Sequence, residues 1–296
     1  MKFSTLNIFK GFGWILAATL LGTACKKDGN PNNLPPVAPG DYEGKIDGFT
    51  SSDEVYPQRM IAYWSFDDSK NELKTNTAPT LTSNDAIIEG GVKGKALNLT
   101  GGYLYFGKQF DAFKTDALIS WSISVWVKIK NNGSKRTMIM QLAKKDSTIS
   151  GNINLLLNTN GYPATNDSVL RINPTFRAVS GGFQDNLNNV LDKTNLNNWN
   201  HIVLTYDATS GTFNNWLNGV KVGNFPNRGV GNNLFKSHEP NEFIIGSNYN
   251  GIPGKVAGSD AAVAPMNGVI DELKIFNIPI GEDVIKAMYK LGVAGK

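Results

Sequence analysis

Closely spaced acidic residues are the first place to look for hydrolytic chemistry. A glycoside hydrolase needs two carboxyl groups flanking one cleft, ~5–10 Å apart. The nearest candidate on a predicted strand is the pair Asp271 and Glu272, in residues 269–273. Neighbouring residues of a regular strand point to opposite faces, so these two carboxylates cannot share a cleft there. We therefore predict no paired-carboxylate site and assign no catalytic residues.

Other reactive side chains are scarce. The chain has two histidines, His201 and His238, and one cysteine, Cys25, too few for a zinc site. His201 lies in a predicted strand, where a place in the core or on the sheet suits it better than a role as catalytic base. The glycine-containing segment 90–95 is followed by Ala96 instead of the Ser or Thr of a phosphate-binding loop.

Cys25 stands at the end of an apolar N-terminal segment. Residues 11–24 carry no charge and follow two lysines. The segment is too short for a membrane-spanning helix of ~20 residues and is typical of a secretory signal. With Leu-Gly-Thr-Ala before the cysteine, the site resembles a bacterial lipobox, which implies a lipoprotein signal peptide over residues 1–24 and acylation of Cys25. The alternatives are an ordinary cleaved signal followed by an unpaired thiol, or a short anchor.

The segment after Cys25 shows no hydrophobic periodicity. It is rich in Asn, Pro and Gly, a composition that favours an extended linker. We predict a lipidated cysteine and flexible tether over residues 25–58 and a folded domain over residues 59–296. The start of the tether, Lys-Lys-Asp, resembles the tract that directs Bacteroidetes-type lipoproteins to the outer face of the outer membrane. It implies a lipid-anchored protein of the outer membrane or cell surface.

Charge excludes one class of partner. Removal of residues 1–24 takes away two lysines and no acid, so the formal charge falls from +4 to +2. The remainder has no basic cluster able to neutralise a run of phosphates, which argues against nucleic acid. Contact with a membrane is expected through the lipid anchor only.

Alternation of apolar and polar residues dominates from Met60 onward. In residues 121–129 the odd positions are apolar, whereas the even positions include Ser122, Ser124 and Trp126. Asn218-Gly219 between two alternating runs is a strong hairpin signal. An apolar stripe within residues 283–291 predicts one short helix. Many short strands without βαβ alternation predict an all-β, two-sheet antiparallel sandwich with a C-terminal helix. The other predicted strands are residues 61–66, 96–99, 103–106, 137–142, 153–157, 170–173, 201–207, 213–217, 220–222, 242–245 and 269–276.

Seven segments, in this order, are similar to the laminin G-like (LamG), concanavalin A-like lectin/glucanase jelly-roll domain. This resemblance implies two curved antiparallel sheets, with ligands bound at the concave face or its rim. The segments are AYWSFD (62–67), GKALNL (94–99), SISVWV (122–127), WNHIVLTYD (199–207), WLNG (216–219), IIG (244–246) and NGVIDELKIFN (267–277).

The resemblance also implies a structural calcium ion. In such sandwiches calcium often joins the end of the first strand to a strand near the C-terminus, here Asp67 or Asp68 with Asp271. Residues 67–71 place oxygen-bearing side chains on alternate positions, although Glu72 and Ala78 depart from an EF-hand loop. The alternative is that Asp271 caps a turn or accepts backbone N–H groups, while Asp67 is solvated.

Sugar recognition calls for an accessible aromatic ring beside hydrogen-bonding groups. Trp126, beside two small serines, is one candidate contact. The polar segments 162–192 and 241–265 are predicted rim loops, and they supply Tyr162, Phe183, Tyr249 and Asn250 as candidates, with Phe176 beside them. In the alternative reading Trp126 belongs to the core and the loop aromatics hold their loops. Three further tryptophans, Trp64, Trp199 and Trp216, are predicted to be core residues.

Together these observations predict a surface-displayed lipoprotein whose single domain binds carbohydrate without catalysis. The alternative is a structural or adhesive module that binds protein or cell-wall partners. A glycan-active enzyme of unfamiliar type is the third hypothesis.

Overall fold

The computed structural model describes residues 44–145, 150–185, 192–255 and 261–296. The predicted signal, Cys25 and the tether up to residue 43 lie outside these ranges. The described strands and helix are β1 (Met60–Trp64), β2 (Leu81–Glu89), β3 (Lys95–Phe106), β4 (Trp121–Ile129), β5 (Arg136–Lys144), β6 (Ile153–Leu157), β7 (Val169–Leu170), β8 (Thr175–Arg177), β9 (Phe183–Asp185), β10 (Asp192–Lys193), β11 (Asn200–Asp207), β12 (Thr212–Leu217), β13 (Val220–Phe225), β14 (Asn241–Ile245), β15 (Val263–Ala264), β16 (Met266–Phe276) and α1 (Glu282–Val293).

Fourteen of the strands form one continuous, curled sheet, with the order β13-β12-β11-β4-β16-β3-β14-β5-β6-β8-β9. Three strands join it at the sides: β1 pairs with β16, β2 with β3, and β15 with β5. The β15–β5 pair is parallel, and the other pairs described are antiparallel. Strand β16 pairs with both β4 and β3, and side chains from strands on both sides of it meet in one core, which makes the curled sheet a sandwich. The predicted all-β antiparallel sandwich is confirmed.

Side-chain alternation builds the main core between the two halves. On β4 the odd positions from Trp121 to Ile129 point into it, and on β6 so do Ile153, Leu155 and Leu157. Burial of such apolar side chains stabilises the fold by ~1.5–3 kcal/mol each. The even positions of β4 point to the outer face of the sheet, where another element must pack over Trp126 to bury it.

Helix α1 supplies that cover on the outer face of the β4 half. Its residues Ile285, Met288 and Leu291 are buried against Val203 and Trp216. The spacing of three to four residues places the apolar side chains on one side of the helix. A smaller buried cluster covers the outer face of the other half and contains Tyr103, Tyr105, Ala143, Ile244, Tyr249 and Ile252.

The folded unit begins earlier than predicted and spans residues 44–296. Val55 is fully buried, and Ile46 and Phe49 pack against the cluster under α1. The amide of Ser52 donates to the carbonyl of Lys296, N to O 3.3 Å. Residues 44–58 therefore belong to the domain and not to the tether. Isolated apolar residues anchor this segment, and because they show no hydrophobic periodicity, the sequence did not indicate it. Among the described residues, no helix is both long and apolar enough to cross a bilayer.

Candidate functional site

A cavity of about 350 Å³ opens where β4 ends and β5 and β16 begin. This volume falls within the ~300–1,000 Å³ usual for small-ligand sites. Because neighbouring antiparallel strands bring their ends together, segments far apart in the chain meet at this end of the sandwich. We call it the rim cavity. It is lined by Lys128, Ile129, Lys130, Asn131, Asn132, Thr137, Leu196, Asn197, Ala264, Pro265, Asn267 and Gly268.

The lining combines amides, cations and apolar surface. It contains four asparagines and two lysines, and among the described residues no acidic side chain belongs to it. Gly268 allows the β16 backbone to approach β4 closely, since a Cβ on it would lie 2.5 Å from the Lys128 carbonyl oxygen. The composition suits a polar ligand that also carries C–H surface.

Asn131 is the most buried polar group of the lining, with 2 % of its surface exposed. Its Nδ2 donates to the carbonyl oxygens of Asn166 at 3.0 Å and Val169 at 2.8 Å. Its Oδ1 has no hydrogen-bond partner among the described residues. This oxygen is closed to solvent, so the side chain acts through its two Nδ2 bonds, which tie the end of β4 to residues 166–169.

Asn132 fixes the loop that forms one wall of the cavity. Its Oδ1 accepts from the amides of Ser134 at 2.9 Å and Lys135 at 2.8 Å, and its Nδ2 donates to Thr159 Oγ1 at 3.1 Å. An Asn side chain that closes a turn on its own backbone holds a loop without secondary structure. The wall is therefore set before any ligand arrives.

Lys128 lies half-buried at the edge of the cavity, with its Nζ 5.0 Å from the centroid of the Trp199 ring. The indole Nε1 donates to the Gly90 carbonyl oxygen at 3.4 Å. Trp199 is itself only half-buried, which corrects the prediction that it is a core residue. Its role here is to position Lys128 by a cation–π contact. Trp64 and Trp216 are buried as predicted.

Tyr162 is the one predicted sugar contact whose chain segment borders the rim cavity. It is half-buried, and a Cβ on Gly133, next to Asn132, would lie 3.6 Å from its carbonyl oxygen. The predicted rim loop of residues 162–192 thus begins beside the cavity wall.

The other predicted loop contacts lie away from the cavity lining. Phe183 is 42 % exposed, and the Arg177 guanidinium sits 4.5 Å from its ring centroid. Tyr249 is 1 % exposed, and its amide donates to Gln141 Oε1 at 2.8 Å, so its ring is a packing group and the prediction of an open contact is corrected. Asn250 is half-buried, and neither of its amide atoms has a partner among the described residues. Phe176 is fully buried in the main core.

Trp126 lies under α1 and not on an open face. It is 5 % exposed and stacks on His201, with ring centroids 4.7 Å apart, and on Tyr289 at 5.8 Å. A Cβ on Gly292 would lie 2.1 Å from its Cζ2 atom. The structure therefore corrects the prediction that Trp126 contacts a sugar, because the helix occupies the space beside its small serine neighbours.

We expect acid to destabilise the protein through His201, which is buried with its Nε2 2.8 Å from Ser124 Oγ. Burial, helped by the charge of Lys274, lowers the pKa of His201 from 6.5 to about 3. Below pH ~6.5 the unfolded chain takes up a proton that the folded chain does not. The contribution of His201 to the free energy of unfolding should therefore fall by up to ~1.4 kcal/mol per pH unit as the pH drops from 6.5 toward 3. Asp271, whose pKa is raised to about 8 by burial, contributes the opposite slope in part of this range, so the His201 contribution is measured as the difference between the wild type and a His201 variant.

Urea titrations at several pH values below neutrality test this prediction. The stability of His201→Gln relative to the wild type should rise as the pH falls, whereas His238→Gln, the matched control at the only other histidine of the chain, should keep most of the wild-type pH dependence. An unchanged slope in His201→Gln would contradict the assignment.

The predicted metal residues Asp67 and Asp271 face the same loop, residues 91–95. Asp67 Oδ1 accepts from the amide of Lys95 at 2.9 Å, and Asp271 Oδ2 accepts from the amide of Val92 at 2.7 Å. Asp68 is exposed. Calcium takes six to eight oxygen ligands, whereas these oxygens face N–H donors, and the described residues contain no group of three or more acidic, histidine or cysteine side chains placed for a metal.

The calcium ion stays a prediction that a melting experiment can check. Burial, with the adjacent Glu272 charge, raises the pKa of Asp271 to about 8 against the opposing pull of its amide donors. A cation would relieve the burial cost of this carboxylate. The prediction expects EDTA to lower the Tm, with a stability loss of ~2.7 kcal/mol if calcium was present at a hundred times its Kd. EDTA pre-loaded with calcium is the control, and an unchanged Tm would count against the ion.

Asp271 and Glu272 do not sit on a regular strand. The register of β16 against β4 shifts between Asp271 and Lys274, and Glu272 has a φ of 49°. The side chains of these two residues therefore do not alternate as they would on a regular strand, which corrects the reason given for excluding a shared cleft. Both carboxylates are nevertheless buried and occupied: Glu272 accepts from Tyr63 Oη at 2.6 Å and lies 2.8 Å from Lys274 Nζ. Neither belongs to the lining of the rim cavity.

Comparison with known sequences identifies one family. A sequence profile for Laminin_G_3, described as the concanavalin A-like lectin/glucanases superfamily, matches residues 100–286. A search of curated proteins found no match.

Solved structures with a similar fold include a domain of an enzyme and binding domains of toxins. Domain 4 of AbnA, a GH43 extracellular arabinanase from Geobacillus stearothermophilus, was solved in complex with arabinotriose. It is 19% identical, with a TM-score of 0.51 over 78% of this chain and 98% of that chain. The binding domain of Paraclostridial Mosquitocidal Protein 1 is 13% identical, with a TM-score of 0.53 over 78% of this chain and 52% of that one.

The receptor binding domain of botulinum neurotoxin mosaic serotype C/D is 11% identical, with a TM-score of 0.51 over 78% of this chain and 50% of that one. The chain thus spans about half the length of the two toxin chains. At such identities the likeness shows the fold alone.

Proposed function

The chain belongs to the Laminin_G_3 family of concanavalin A-like lectin/glucanase domains, and on that basis we propose that it binds carbohydrate without catalysis, with the sugar seated in the rim cavity. The observation that carries this proposal is the lining itself. Asparagine amides and lysine ammonium groups surround an apolar surface that includes Leu196 and Pro265. Sugars present hydroxyls around C–H faces, and such mixed linings recognise them by fixed hydrogen bonds over apolar contact.

The same lining supports binding more than hydrolysis. Glycoside hydrolysis by the usual route needs two carboxyl groups across one cleft, and the rim cavity has no acidic residue among its described lining. Domain 4 of the arabinanase, a domain of this fold solved with arabinotriose, offers a precedent for sugar binding by such a sandwich.

Affinity gels test the proposal. The protein is run through gels that contain single polysaccharides, with arabinan among them because of the arabinotriose complex. The double variant Asn197→Ala/Asn267→Ala removes two exposed amides of the cavity and should weaken binding about tenfold, since two hydrogen bonds are lost. Asn224→Ala, an equally exposed asparagine on β13, at the far end of the sheet order, is the matched control.

Retardation that both variants keep would overturn the assignment to the rim cavity. Binding to no polysaccharide, together with binding to protein or cell-wall material, would favour the adhesive-module hypothesis.

We propose further that a lipid on Cys25 displays this domain on the outer membrane or cell surface. Support comes from the lipobox-like sequence before the cysteine and from the predicted tether after it. Cys25→Ser should abolish incorporation of radiolabelled palmitate and release the protein from the membrane fraction. Membrane retention of this variant would contradict the lipid anchor.

A further inference from the structure

We propose that the sugar bound in the rim cavity carries a negative charge. This inference rests on the proposed carbohydrate function and narrows it to acidic glycans. The carboxylate of a uronic acid and the sulfate of a sulfated sugar share the chemistry that the cavity would recognise, a charged oxygen group beside free hydroxyls.

Uncompensated positive charge is the first observation. Lys128 and Lys130 both line the cavity, and neither forms an ion pair with a described carboxylate. Two ammonium groups in a lining that contains no acidic side chain make the cavity a place where an anion is favoured.

The Lys128 side chain is held in place by a neighbouring aromatic ring. Its ammonium lies over the Trp199 ring, and Trp199 is in turn held by its hydrogen bond to Gly90. Lys130 is two residues further along the chain and is exposed. One cation is therefore placed in advance, which lowers the ordering cost of binding, and the other can adjust.

The exposed amides of the lining are the second observation. Asn197 and Asn267 are both exposed there, and a side-chain amide can donate to and accept from sugar hydroxyls. Amides and two cations in one cavity thus fit a hydroxylated anion, such as an acidic sugar, better than either a neutral sugar or a free anion.

The experiment compares polymers that differ only in charge. Polygalacturonate is tested against its carboxyl-reduced form, and dextran sulfate against dextran, by affinity gel and calorimetry. We expect at least tenfold tighter binding to one of the two acidic polymers than to its neutral partner, because charge-assisted hydrogen bonds are the stronger ones. The advantage should shrink as NaCl is raised. If polygalacturonate has the advantage over its reduced form, the anion is a carboxylate; if dextran sulfate has the advantage over dextran, the anion is a sulfate.

Variants assign the effect to the cavity. Lys128→Gln and Lys130→Gln should each remove most of the preference for the acidic polymer, whereas Lys145→Gln should keep it. Lys145 is exposed and lies directly after β5. The other end of β5 contributes Thr137 to the cavity, and at ~3.3 Å per residue Lys145 lies ~26 Å from Thr137 along the strand.

The outcomes separate the two proposals. Equal binding to charged and neutral polymers would overturn the anionic preference and leave carbohydrate binding standing. Binding to none of the polysaccharides tested would overturn both. Equally tight binding to polyglutamate would show attraction to any polyanion and would also overturn the inference.

Discussion

Replacing Trp126 by alanine is expected to lower the free energy of unfolding by about 3–5 kcal/mol, the usual cost of deleting a large buried aromatic side chain. The indole is the layer between the outer face of β4 and helix α1, stacked on His201 and Tyr289. The helix rests on it so closely that Gly292 has no room for a Cβ. Its loss would leave a cavity under α1.

Urea unfolding followed by circular dichroism measures this cost. Trp199→Ala is the control, because that indole is half-exposed and should cost clearly less. Among molecules that remain folded, glycan affinity should be unchanged in Trp126→Ala, since this residue does not line the rim cavity. A well-folded variant of near wild-type stability that no longer binds glycan would contradict the packing role.

Lys274→Met is expected to cost about 3–5 kcal/mol, because it leaves a buried carboxylate without its cation. Lys274 is 1 % exposed on β16, and its Nζ lies 2.8 Å from Glu272 Oε2, 3.0 Å from Asp53 Oδ1 and 2.8 Å from Ser52 Oγ. Burial by itself would raise the pKa of Asp53, but the charges of Lys274 and Lys93 hold this pKa at about 2. The cluster ties residues 52–53 to the sheet.

A double-mutant cycle separates the lost cation from lost packing. Lys274→Met/Glu272→Gln should recover much of the stability, since neither charge is then buried alone. Lys290→Met breaks an exposed pair with Asp47 and should cost at most ~1 kcal/mol. A Lys274→Met variant as stable as Lys290→Met would contradict this account of the buried cluster.

The sequence predicted the fold well where periodicity was strong. Strand β6 matches the predicted residues 153–157, and the hairpin turn has Asn218 and Gly219 at positive φ, as their residue types require. Helix α1 was predicted two residues short at its C-terminal end. Strand β2 was missed, because its burial pattern is mostly exposed and no apolar alternation marks it.

The outer layers were harder to predict than the core. Period-two alternation shows that Trp126 leaves the main core, but it cannot show that a helix some 160 residues later covers it. Trp199 was predicted to be buried because tryptophan is a large aromatic residue, but it lies directly before the first residue of β11 and is only half-buried. Burial on an outer face depends on long-range packing and leaves little local signal.

The resemblance implied a ligand at the concave face or its rim, but none of the residues that line the rim cavity was predicted as a contact. Its lining comes from residues 128–132, 137, 196–197, 264–265 and 267–268, which strand pairing brings together. Asparagines in such loops read as turn residues, and at the sequence level nothing separates Asn131, with its unpaired oxygen, from Asn132, which closes a turn. Lys128 and Lys130 are visible in the sequence as two nearby cations. Whether they favour an anion depends on which residues from distant segments line the same cavity, and this the sequence does not show.

The most direct test of the account is the structure of this protein with an oligosaccharide bound, taken from the polysaccharide that retards it in gels. The proposals expect the sugar in the rim cavity, with a hydroxyl within hydrogen-bond distance of the Asn197 or Asn267 amide and a charged group facing Lys128 or Lys130. A sugar bound instead against Phe183 and Arg177, with the rim cavity free, would contradict them.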